Sequence, residues 1–203
     1  MWLMLLSLVL MEAVSPPPMG KLIPYRLDCC DRSSMHFFFP KGYLDRVWYP
    51  DDLRAMSEPS LSCGQFPGEI YRFLWLRTWG RPVVVRVTRD DRNATISAVE
   101  LDGAGGYEPG VVRRRTQRPL TEVEWKAVSD GLAGLNFWRM PTEVLEFGRD
   151  GSQWVLEGRK GERYHVVDRW SPETGAYHEF CLELLRLSGF LDPSGTGKRE
   201  GVY

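Results

Sequence analysis

His165 and Asp168 are the residues whose types and spacing come nearest to chemistry, because an imidazole oriented by a carboxylate is the core of most acyl-transfer sites. They lie in YHVVDRW, a segment that reads as a strand. Side chains alternate along a strand, so residues three apart point to opposite faces and these two can meet only across a bulge. A nucleophile is also missing, since the chain has no G-x-S-x-G elbow and Ser171 is better used as a helix cap. No catalytic residue is therefore assigned. The enzymatic alternative is a hydrolase whose site assembles from His165, Asp168 and an arginine such as Arg86. Asp168 alone is more informative. It closes an otherwise apolar face, where a carboxylate costs several kcal/mol unless it is paired. Arg77, Arg86 or backbone donors at the start of the next helix are the expected partners. A structural carboxylate is the simpler reading, and a ligand or partner site around Asp168, Arg169 and Trp170 is the functional one.

Other chemistry is largely excluded by pattern. H-E-x-x-H, the P-loop and calcium-loop spacing are absent, so no metal or cofactor is expected. Cys29, Cys30, Cys63 and Cys181 show no C-x-x-C spacing, which makes a zinc cage a weak reading even with His36 nearby. DGAGGYEPG (102 to 110) has four glycines, yet Pro109 and an arginine-rich run intervene before any helix, unlike a dinucleotide loop. It reads as a flexible loop. The run Arg113, Arg114, Arg115 and Arg118 reads as a solvated loop without the aromatic interleaving that nucleic acid would want. A net charge of −1 gives no long-range attraction for nucleic acid or an anionic membrane.

The elements that must position these residues follow from periodicity. YRFLWLRTW alternates with neither side wet, predicting a central strand, and VVVRVTR and ATISAVEL (94 to 101) complete a three-stranded meander. Asn93, in the turn before ATISAVEL, also begins a glycosylation sequon that the turn itself explains. Thr121 with Glu124 forms a capping box for a helix over 121 to 135, with Trp125, Val128, Leu132 and Leu135 on its core face. Residues 150 to 170 read as a hairpin with a three-residue loop, Arg159 to Gly161. That register sets Glu157 opposite Arg163 and places Trp154, Leu156, Tyr164 and Val166 on one face, with Ser152 and Asp168 at its end. Ser171 and Pro172 then start a second helix carrying Tyr177, Cys181 and Leu184, ended by Gly189. The expected fold is α+β: an antiparallel sheet of about five strands packed by two helices.

Four segments divide the chain. Residues 2 to 11 form an apolar run half the length of a membrane span but suited to a signal peptide, so 1 to 15 is read as one, with no transmembrane span. A misplaced start codon or an apolar tail are the rivals, and a cytoplasmic protein would follow from either. Residues 16 to 68 contain eight prolines and form a loop-rich arm whose aromatic groups predict packing on the domain. Within it, 50 to 57 predicts one short helix, with Asp51 and Asp52 at the positive end of its dipole. The α+β domain spans 69 to 191, and 192 to 203 reads as a disordered tail. If the chain is exported, Cys63 would bridge to Cys29 or Cys30.

The segments YRFLWLR, DGSQWVLEG and YHVVDRWSP resemble a group of uncharacterised bacterial proteins in which similar blocks flank an LTEVEW-like helix start. The resemblance spans roughly residues 55 to 190. It implies a bacterial origin and a shared architecture, and it brings no activity or catalytic residues. The functional expectation is a non-enzymatic binding or accessory module, outside the cytoplasm, whose partner is another protein or ligand. An immunity or antitoxin-like protein is the third reading.

Overall fold

The computed structural model describes residues 38, 49–63, 66–144, 148 and 150–190. The signal-peptide run, most of the arm, Cys29, Cys30 and the tail from 192 lie outside the described residues, and with them the question of the Cys63 bridge.

One open antiparallel sheet organises the chain. Its strands are β1 (Glu69–Arg77), β2 (Val83–Arg89), β3 (Ala94–Leu101), β4 (Val112–Leu120), β5 (Ser152–Lys160) and β6 (Arg163–Trp170), in the order β4-β3-β2-β1-β5-β6. The first four strands step outward as a meander. The chain then returns through helix α2 (Glu122–Gly134) and a 3-10 turn (Phe137–Arg139) to lay the β5–β6 hairpin on the far side of β1. β1 is thus interior, and from Ile70 onward every one of its residues is buried.

The two faces of the sheet bury different things. Tyr71, Phe73, Trp75, Val85, Ile96, Trp154, Leu156 and Val167 point to one face and meet Val128 and Leu132 of α2 and Tyr177, Phe180, Cys181 and Leu184 of α3 (Ala176–Ser188). We call this the helix face. Leu74, Leu76, Val84, Val99, Val155 and Val166 point the other way, beneath Phe38 and Tyr49, Leu53 and Met56 of α1 (Tyr49–Ala55) and its C-terminal end. This is the arm face. Full burial of each such side chain contributes about 1.5 to 3 kcal/mol, so both layers stabilise the sheet. Within α1, Asp52 is 1% exposed and its Oδ1 has no hydrogen-bond partner.

The capping box of α2 is present as expected: Thr121 Oγ1 accepts from the Glu124 backbone N–H, and Glu124 accepts from that of Thr121. Arg118 and the Thr121 N–H together hold the Glu124 carboxyl down at about 2. Thr121→Ala is expected to cost about 1 kcal/mol, with Thr121→Ser near wild type. Thermal melts of both variants check it.

Four expectations need correction. Among the described residues the sheet has six strands and the fold three helices, because the arginine run is strand β4 and α1 packs as a full partner. β4 is an edge strand whose arginines cover the sheet with their stems and forks: Arg114 lies over Phe190, Arg118 pairs with Glu124, and Arg115 donates to the Met56 carbonyl. The hairpin register also differs. Glu157 lies opposite Val166 rather than Arg163, and Trp154 opposite Arg169 rather than Val166. An odd shift turns β6 over, so Tyr164, Val166 and Asp168 join the arm face and leave Trp154 and Leu156 on the other. Finally, Ser171 does not cap α3. Its hydroxyl accepts from the Ser152 N–H, and the helix begins after Gly175.

Candidate functional site

The expected site residues are separated by the sheet. His165 is on the helix face, where its ring meets Phe137 edge-on and Nε2 lies 3.0 Å from the Met140 carbonyl oxygen. Burial lowers its pKa. Arg169 is on the same face, donating to the carbonyls of Pro141 and Thr142. Asp168 points to the arm face and accepts from Gln153 Nε2. The Tyr49 hydroxyl also bonds to Asp168, and burial followed by that carboxylate raises the tyrosine pKa. The expected arginine partners are engaged elsewhere. Arg77 lies 4.1 Å from the centroid of the Trp75 ring, and Arg86 donates to Glu58 across 2.9 Å. His165 and Asp168 form no dyad, because they have the sheet between them.

The strongest polar cluster lies between the arm face and residues 58 to 62. Arg72 and Glu157 are cross-strand partners with fully buried side chains, joined through Nε at 2.8 Å and through Nη2. Tyr164 donates to the other Glu157 oxygen at 2.8 Å. Arg72 Nη1 donates to the Pro59 carbonyl at 2.6 Å, and Arg159 donates to those of Leu61 and Ser62. Burial pushes the Glu157 carboxyl up against the opposing pull of Arg72, and it raises the Tyr164 hydroxyl strongly. Each charge meets a charge or a carbonyl, and nothing reactive faces solvent. This cluster clamps the arm to the sheet.

Arg86 and Glu58, with Arg54, line an open cleft of about 810 Å³ at the edge of this cluster, whereas exposed aromatic side chains gather at the end of the sheet where β1 stops and β2 begins. The β1–β2 turn carries Trp79, 71% exposed, and the β3–β4 loop carries Tyr107, 56% exposed. Their rings lie 4.9 Å apart at 36°. Val111 and Val112 are exposed at the same end, so four of the six large apolar side chains exposed among the described residues gather there.

Backbone hydrogen bonds hold the two aromatics in place. The N–H groups of Gly105 and Gly106 donate to the carbonyls of Gly80 and Thr78, tying the glycine loop to the turn. A Cβ on Gly105 would sit 2.8 Å from the backbone of Leu76 and Arg77, so the contact needs glycine there. The loop is pinned, which corrects the reading of it as flexible.

Beside Tyr107 a cleft of about 370 Å³ opens on the arm side of the sheet, lined by Leu76, Thr78, Asp150, Gln153 and Trp170 with a rim of Gly105, Gly106 and Gly148. Asp150 is exposed. Of the expected residues, Trp170 lines this cleft and Asp168 fixes the Gln153 amide from below. Sequence reasoning missed Trp79 and Tyr107. Strand alternation draws Trp79 into β1, but the T-W-G-R-P run that ends the strand is the signal that puts it in a turn.

No protein-family model matches the chain, and no curated protein is significantly similar to it. Among the described residues no group of three or more His, Cys, Asp or Glu is placed to hold a metal ion, and no helix is long and apolar enough to cross a membrane.

Proposed function

We propose that the chain is a non-enzymatic binding module whose recognition surface is the loop end of the sheet. The exposed Trp79–Tyr107 pair carries this reading. Large aromatics are the side chains that anchor interfaces, and exposing two of them on pinned loops forgoes burial that the fold would otherwise gain. Their rigidity supports recognition, because little ordering entropy remains to be lost on binding. The apolar run at residues 2 to 11 supports export, placing the module outside the cytoplasm.

The test compares immobilised wild type with a Trp79→Ala, Tyr107→Ala double variant. Species retained by the wild type from an extract of the source organism are expected to be lost by the variant, with thermal stability within about 0.5 kcal/mol. An unchanged retained set would move the recognition surface elsewhere. Export is checked by mass spectrometry of protein from its native host: loss of the first 15 or so residues supports it, and an intact Met1 removes it.

A further inference from the structure

Resting on that reading, the chemistry of the cleft beside Tyr107 names a ligand class. We propose that it binds a neutral sugar chain, with one pyranose ring against the Trp79–Tyr107 pair and the next in the cleft before Trp170.

Three features point there. The aromatic rings are exposed, lie against each other and sit on loops tied together by backbone hydrogen bonds. The C–H face of a pyranose carries a slight positive charge that the electron-rich face of an indole or phenol attracts, and such stacking needs no charge on the ligand. The polar lining is suited to hydroxyl groups. The Asp150 carboxylate can accept from two neighbouring hydroxyls, and the Gln153 amide is held in one orientation by Asp168. The rim glycines pack against Leu76, Arg77, Thr78 and Trp170 and so hold the cleft walls together, and about 370 Å³ lies at the small-ligand end of cleft sizes.

Competing ligand classes fit less well. An extended peptide would look for unpaired backbone groups, but the N–H groups of Thr78, Gly105 and Gly106 already donate within the fold. An anion would meet the Asp150 carboxylate in the cleft, with no Lys or Arg among its described lining residues.

The probes are cellotetraose, maltotetraose, chitotetraose and mannotetraose, titrated into the full chain while the indole N–H signals of the tryptophans are followed by NMR. At least one is expected to shift the Trp79 and Trp170 signals saturably, with a dissociation constant on the order of 1 mM or tighter. Trp79→Ala and Asp150→Asn should each weaken that binding about tenfold, with melting temperatures unchanged. Val123→Ala, at another exposed apolar residue, should leave it unchanged. The sugar assignment is overturned if no probe moves either signal at about 20 mM, or if binding is indifferent to both cleft variants. Failure here, with retention of an extract component still dependent on Trp79 and Tyr107, would remove the sugar and leave the binding surface. Failure of both would remove the surface as well.

Discussion

Replacing Glu157 with leucine is expected to destabilise the protein by about 3 to 5 kcal/mol, because it leaves the Arg72 guanidinium buried without its principal counter-ion. Arg72 would retain the Pro59 carbonyl and a carboxylate oxygen of Glu58 at 3.7 Å, neither of which replaces a two-point contact. For a chain of this size the loss corresponds to a fall of roughly 6 to 20 °C in melting temperature. The Arg72→Met, Glu157→Leu double variant should recover most of that loss, since apolar residues of similar volume in place of a buried ion pair are often neutral. A double-mutant cycle by urea denaturation measures the coupling between the two residues. Limited proteolysis of the single variant should also cut between residues 56 and 63, where Arg72 and Arg159 no longer hold the carbonyls firmly. A Glu157→Leu variant as stable as the wild type would refute the clamp.

The clamp shows which parts of the fold could be read locally and which could not. The α2 capping box is legible because Thr121 and Glu124 are three residues apart and satisfy each other. The meander is legible because β-branched runs are separated by short turns. The hairpin register is not. The segment R-K-G-E-R allows Gly161 to serve either of two loops, and the register formed is the one that brings Tyr164 onto the arm face, where its hydroxyl donates to Glu157. In that register Asp168 shares the arm face with Glu157 and Tyr164 and His165 takes the other, while strand alternation parts the apparent dyad in either register.

β4 was hidden for a different reason. Its arginines interact with Glu100, Glu124, Phe190 and the Met56 carbonyl, so the strand is held by charged forks and stems where alternating apolar residues would have given it away. The loop-end cleft was least legible, since it draws on the ends of β1 and β6, the start of β5, the residues just before β5 and the glycine loop. Trp170 was reachable because it adjoins Asp168 in sequence. Tyr107 could be placed only after the glycine loop was known to lie against Thr78 and Gly80.

A second large effect is expected from pH, through Asp52. Burial lifts its carboxyl from the ordinary value near 3.8 to about 7, with the charge of Asp51 adding to the rise and its own backbone N–H opposing it. Between those two values the folded protein binds a proton that the unfolded chain does not, so stability falls as pH rises from about 4 to about 7 and is level above that. The difference approaches roughly 4 kcal/mol at one full proton, taking about 1.36 kcal/mol for each pKa unit. His165 works in the opposite direction across part of the same range. Its depressed pKa makes the unfolded chain the better proton binder near neutrality, which favours the fold as pH rises. The wild-type curve mixes the two, and the comparison with Asp52→Asn separates them. The asparagine stands in for the protonated acid, so the two proteins should be close in stability near pH 4 and diverge with rising pH. By about pH 8 the variant should be the more stable by on the order of 2 to 4 kcal/mol. Urea denaturation of both proteins across that range is the measurement, and parallel curves would mean that the Asp52 carboxyl titrates as it does in the unfolded chain.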